Sequence, residues 1–376
     1  MKIVADTNIP FIKECLEGIG ETVIVSGREI TPQLVKDADA LLVRSITKVD
    51  AKLLEGSSVK FVATATIGVD HIDTAYLESK GIGFASAPGS NANSVAEYIA
   101  CALLVLEKKY GKKLSESSIG IIGVGNVGSR VEKKCRALGM NVVLNDPPLA
   151  RKTGDAKYRP VSELYGCDFI TIHTPLTKTG EDKTYHLADS AFFANLKDGV
   201  FFLNSARGSV NCTAALKDAI KSKKIAGCVL DVWENEPDID AELLGLVDIA
   251  SPHIAGYSYD GKVKGMMMIY EAMCGYFSIP VERNIEEFLP QPQVKSIDAS
   301  GISILETVSK VYDITGDDRD MRKITNLKPL ERPAYFDLLR KNYPCRREFY
   351  NTIITSCEPG NADILADLGF AVWDIC

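Results

Sequence analysis

The chain has 376 residues, of which 46% are hydrophobic, enough apolar material for two or three packed cores, and a formal net charge of −7. Its Lys and Arg residues are scattered, so no dense basic run meets a nucleic-acid backbone, and no window is apolar enough to span a bilayer. Ten cysteines stand singly, without a Cys-x-x-Cys pair or a zinc-like cluster, and the opening Met1-Lys2-Ile3-Val4 carries no leader pattern, so a cytoplasmic protein with reduced thiols, no metal and no membrane partner is expected.

In chain order, short apolar runs at Lys2 to Ala5, Ala40 to Val43 and Lys60 to Ala63 alternate with amphipathic stretches at Pro10 to Gly18 and Thr74 to Lys80. Runs apolar on consecutive positions fit parallel strands covered on both faces. A helix from about Asn91 to Lys109, with Val95, Ile99, Leu103 and Leu106 on one face, is expected to bridge two domains. The βα rhythm then restarts, with strands expected at Ile119–Ile122, Val142–Leu144, Phe169–Ile172, Val200–Leu203, Cys228–Leu230 and Val247–Ala250. A further helix runs through Met266, Ile269 and Met273 to a break at Pro280; Phe288 to Gln293 reads as a linker, and Pro333 to Asn342 as a helix.

One turn carries chemistry. The strand ending at Ile122 runs into Gly123-Val124-Gly125-Asn126-Val127-Gly128 and then into a helix-compatible stretch. In that setting the first glycine permits the turn, the second lets backbone approach a pyrophosphate, and the third lets the helix pack closely. The next strand ends at Asp146, where an acid meets adenosine ribose hydroxyls and repels a 2′-phosphate, so NAD is expected over NADP. A tight turn, with Asp146 capping Pro147-Pro148, is the bland alternative.

Three later strand ends carry further reactive groups. Asn204-Ser205-Ala206-Arg207-Gly208 supplies a guanidinium that can hold a substrate carboxylate and polarise the neighbouring oxygen. The segments from Asp231 to Glu236 and from Ser251 to Tyr257 supply an acid and His253, the pair that removal of a hydroxyl proton requires. His71, His173 and His186, the other three of four histidines, are read as structural.

These segments resemble the D-isomer-specific 2-hydroxyacid dehydrogenases over nearly the first 280 residues. The likeness also rests on Val43 to Val49, Ala63 to His71, Asp146-Pro147-Pro148, His173 to Leu176 and His253 to Tyr257. It implies an α/β fold in which a Rossmann NAD domain (93–257) is inserted into a flavodoxin-like substrate domain (1–92, with a returning helix at 258–280). A C-terminal α+β dimerisation domain would follow at 281–376. The resemblance implies that Arg207, Glu236 and His253 are catalytic, with His253 as the acid or base. It implies NAD contacts at Gly123, Gly125, Asn126, Val127, Gly128, Asp146, Thr174, Ala206, Asp231 and Gly256, and substrate contacts at Ser45, Thr66 and Tyr257. Ala206 stands where relatives can carry cysteine. The expected substrate is a small phosphorylated 2-hydroxy acid, with Arg44, or less directly Arg346 or Arg347, facing its phosphate, and the expected assembly is a homodimer. Another 2-hydroxy acid as substrate, or an NAD-sensing dimer without catalysis, stays open at this point.

Overall fold

The computed structural model describes residues 1–344 and 346–373. Its first sheet has β1 (Lys2–Asp6), β2 (Glu21–Val25), β3 (Ala40–Val43), β4 (Phe61–Thr64) and β5 (Gly83–Ser86) in the order β2-β1-β3-β4-β5. The second has β6 (Ser118–Ile122), β7 (Asn141–Asn145), β8 (Phe169–Ile172), β9 (Val200–Asn204), β10 (Ile225–Leu230) and β11 (Ile249–Ala250) in the order β11-β10-β9-β8-β6-β7. The third joins β12 (Ser296–Ala299), β13 (Ile353–Cys357) and β14 (Ala371–Val372). Pairing is parallel in all three. Every residue of β3, β4, β8 and β9 is buried, which is why those strands read as unbroken apolar runs.

The chain divides into two units, Met1–Asn91 with Ser258–Gln291, and Ala92–Tyr257 with Pro292–Cys376. In the first unit the helix Tyr259–Phe277 buries Met266, Ile269 and Met273 completely. Of the segment read as a linker, the part up to Gln291 keeps to that unit: Phe288 is 8% exposed and its ring lies 5.5 Å from Phe11. The boundary therefore falls after Gln291 and not at 280, because an aromatic anchor holds the chain to the first core.

The helix Ala92–Tyr110 lies wholly in the second unit and does not bridge two. It is buried on almost every face, Glu97 included, so one core claims it. The region after Pro292 joins the same unit for two physical reasons. Its helix Ile314–Arg322 covers the sheet edge, with Asp318 accepting from the Ala250 amide at 2.8 Å and Arg322 donating to the Leu244 and Val247 carbonyls. It also sends Arg346 into the core, donating to Glu97 at 2.6 Å and to the Ser94 carbonyl, while Glu97 accepts from the Phe349 amide. Arg346 is 7% and Glu97 0% exposed, so each charge depends on the other.

Arg346→Met strands the Glu97 carboxylate, and we expect a loss of about 3–5 kcal/mol in denaturant unfolding. The double variant Glu97→Gln/Arg346→Met should regain most of that loss; no recovery would deny the pairing its structural weight.

Candidate active site

Strand register aligns the reactive loops. Asn204 ends β9 opposite Leu230 of β10, which in turn sits opposite Ala250 of β11, so the loops that follow leave one sheet edge side by side. That is the carboxyl edge, where open parallel sheets bind ligands. The first of these loops passes so close to the third residue past β10 that a Cβ on Gly208 would lie 2.0 Å from the Trp233 carbonyl. Only glycine permits the approach, and it brings Arg207 beside the loop that carries Glu236. Arg207 donates to its neighbour's carbonyl, Ala206 O, at 2.7 Å.

Glu236 and His253 meet here. Glu236 Oε2 lies 2.8 Å from His253 Nδ1, while its Oε1 accepts from the Trp233 amide at 2.7 Å. Burial alone would raise the Glu236 carboxyl, but the charge of His253 and the two hydrogen bonds outweigh it and hold the group below the usual glutamate range. An ionised carboxylate only accepts, so Nδ1 carries the proton, and a neutral ring held this way presents the Nε2 lone pair away from Glu236. His253 adopts a left-handed backbone, φ 58, maintained by its amide donating to the Asp231 carbonyl at 2.7 Å.

Asp231 is the support beneath. Its carboxylate is 1% exposed and accepts from the Ser251 hydroxyl and from the amides of Ile254 and Ala255. Burial pushes this carboxyl up, against the opposing pull of His253 and those donors. Tyr98 and Trp233 complete the cage through the Ser251 hydroxyl and carbonyl. Gly256 and Tyr257 close the turn, the Tyr257 amide donating to Ile254 O at 2.7 Å.

On the same edge, Ile122 pairs with Asn145 and with Ile172, so the glycine loop, Asp146 and Thr174 emerge together. Gly123 has φ 87, and a Cβ there would sit 2.8 Å from the His173 backbone; one on Gly128 would sit 2.0 Å from Gly123 O. A Cβ on Gly125 meets nothing within 4 Å and Asn126 beside it is exposed, so the middle of the loop faces open space, while Val127 packs against the core. Asp146 accepts from the Val124 and Leu149 amides, bracing the loop and capping Pro147–Thr153, and each oxygen retains a lone pair. The hydroxyls of Thr174 and Ser205 and the Nδ1 of His173 are buried without partners. Orphaned donors beside an open glycine loop fit a dinucleotide. Ala206, between Ser205 and Arg207, is 8% exposed.

In the first unit, Arg44 follows β3 and donates to Asn8 O at 3.0 Å, and Ser45 beside it is exposed. Thr66 follows β4; its hydroxyl lies 2.8 Å from Gly68 O, to which it donates, and from Thr64, which also contacts His71. Arg346 is consumed by Glu97, so it faces no substrate, and Arg347 donates to Asn351 at 2.6 Å. Of the structural histidines, His173 is pushed down to about 3 by burial and stays neutral, and His186 pairs with Glu234 at 2.7 Å. Sequence reasoning missed Ser205, although it stands two places before Arg207, and the Tyr98–Ser251–Asp231 cage, for which sequence offers no local signal. Among the described residues no group of three or more His, Cys, Asp or Glu is arranged to hold a metal ion, and no helix is long and apolar enough to cross a membrane.

The family described as D-isomer specific 2-hydroxyacid dehydrogenase, NAD binding domain, matches residues 103–255, and a domain of unknown function matches residues 288–369. The erythronate-4-phosphate dehydrogenase of Proteus mirabilis is 43% identical over 98% of this chain and 99% of its own. That of Bacteroides fragilis is 46% identical over 94% of this chain and 100% of its own. Among solved structures, the NAD+-bound 3-phosphoglycerate dehydrogenase of Entamoeba histolytica has a TM-score of 0.64 at 26% identity, covering 77% of this chain and 99% of that one.

Gly128→Ala forces the glycine loop away from its helix, and NAD affinity in a fluorescence titration should fall at least ~10-fold; unchanged affinity would remove this loop from the cofactor site. A second expectation concerns pH. Because Glu236 is held low, the stability it contributes is present above the ordinary glutamate range near ~4.3 and is lost as pH falls through its lower folded value. Glu236→Gln should therefore lose less stability than the parent on acidification, read from denaturant midpoints at neutral and acid pH.

Proposed function

Because the chain belongs to the erythronate-4-phosphate dehydrogenase family of D-isomer-specific 2-hydroxyacid dehydrogenases, we propose that it oxidises 4-phospho-D-erythronate to 3-hydroxy-2-oxo-4-phosphobutanoate. This is a step of pyridoxal 5′-phosphate biosynthesis. The protein is an NAD-dependent oxidoreductase acting on the CH–OH group of a 2-hydroxy acid. The observation that carries the mechanism is the 2.8 Å contact between Glu236 and His253 Nδ1, on the sheet edge that also bears the glycine loop.

NAD, when bound, supplies the acceptor for the hydride that leaves C2. Gly123, Gly125, Asn126, Val127 and Gly128 offer it backbone, Asp146 offers ribose acceptors, and Thr174, Ala206, Asp231 and Gly256 line the remainder of its site. Arg207 holds the substrate carboxylate and polarises the C2 oxygen. His253 Nε2 takes the hydroxyl proton as the hydride departs, and Glu236 stabilises the cation so formed. Asp231 acts on this chemistry through the loop, by keeping Ile254 and Ala255 in place under His253. Ser45, Thr66 and Tyr257 contact the substrate, and Arg44 its phosphate.

The protein works in the cytoplasm as a homodimer assembled through its C-terminal region. Leu330, Leu338, Tyr350 and Trp373 support that reading, since at 95%, 48%, 52% and 63% exposed they leave apolar surface there for a second copy. Phe336 and Phe349 are fully buried and fill their own core.

The assay is NADH formation from NAD+ with 4-phosphoerythronate, 3-phosphoglycerate or unphosphorylated erythronate, and rapid turnover is expected with the first alone. Preference for another acid would discard the pathway, and absence of turnover despite NAD binding would discard catalysis. His253→Asn should lower kcat roughly 1,000-fold with NAD affinity retained; normal turnover would end its assignment as the base.

A further inference from the structure

Arg340 lies on the helix Arg332–Lys341, one turn after Phe336, which is 0% exposed. Positions four apart share a helix face, so the anchor that buries Phe336 also turns Arg340 inward. Its Nη2 donates to the Tyr257 hydroxyl at 3.3 Å, and its Nε is buried with no acceptor. Its one hydrogen bond among the described residues is to that neutral hydroxyl. A guanidinium has five donors and no means of shedding its charge, so one that is inward-facing and underused calls for an anion.

Its surroundings say which anion. Tyr257 is tied to the catalytic loop by its amide bond to Ile254 O, and Ile254 is held by Asp231. The Tyr257 ring is braced by Tyr343, 5.8 Å away and edge-on, from the same C-terminal region. Arg207 serves one anionic end of a 2-hydroxy acid, and a substrate with a second anionic end needs a second cation at the same edge.

We infer that Arg340, with the Tyr257 hydroxyl, binds the phosphate of the substrate, so that the C-terminal region completes the specificity site of its own chain. The inference rests on the phosphorylated substrate proposed above. It replaces Arg346, whose charge is already paired with the buried Glu97.

The test compares kcat/KM for 4-phosphoerythronate and for unphosphorylated erythronate in the full-length protein, with inorganic phosphate as a competing anion. Arg340→Met should lower the ratio of the two kcat/KM values roughly 100-fold, mainly through KM, and weaken inhibition by phosphate in parallel. Arg340→Lys, which keeps the charge and loses the fork, should lose roughly 10-fold and serves if the Met variant does not fold. An equal loss on both acids, or no loss, overturns the inference while leaving the proposed substrate standing. A parent protein that does not distinguish the two acids overturns the substrate reading itself, and the inference with it.

Discussion

A buried carboxylate governs the reactive end of the second sheet. Asp231 receives a hydroxyl and two amides from the segment after β11, and its own carbonyl receives the His253 amide. These four bonds hold His253 in a left-handed conformation that a histidine adopts only when its surroundings impose it. Once the backbone is set, the imidazole can only present Nδ1 toward Glu236 and Nε2 away from it. The desolvation cost of Asp231 is offset in part by those donors, and what results is a rigidly held imidazole.

The same economy of means shapes the cofactor side. Parallel pairing brings Ile122, Asn145 and Ile172 level, so three chain turns leave the sheet together, and the glycines let backbone pass where a Cβ would collide. Asp146 does two jobs with one side chain, bracing the loop through the Val124 amide and keeping lone pairs outward. The tight-turn reading of this acid therefore leaves room for the cofactor reading, since the bonds that cap the turn do not use up its oxygens.

The region after Pro292 is bound to the second unit by charge as well as by apolar packing. Arg346 enters a core that already holds Glu97, and Asp318 and Arg322 cap an edge strand that would otherwise expose unpaired backbone. This attachment is what allows Arg340 to stand beside Tyr257, so a structural device and a proposed binding residue share one stretch of chain.

By itself the sequence determined the parallel strands, the glycine loop and the placing of Arg207, Glu236 and His253 just past strand ends, because each is written in local order: apolar runs, a glycine spacing, reactive groups after a strand. It did not determine where the chain divides, since Phe288 is claimed by an aromatic partner 277 positions earlier in Phe11. Nor did it decide the use made of each polar group. Arg346 and Arg340 are six residues apart and alike in sequence, yet one is ion-paired with Glu97 and the other donates to the Tyr257 hydroxyl. Only tertiary structure makes that choice, because the partners of a buried charge are set by strand register and helix facing between residues far apart in the chain.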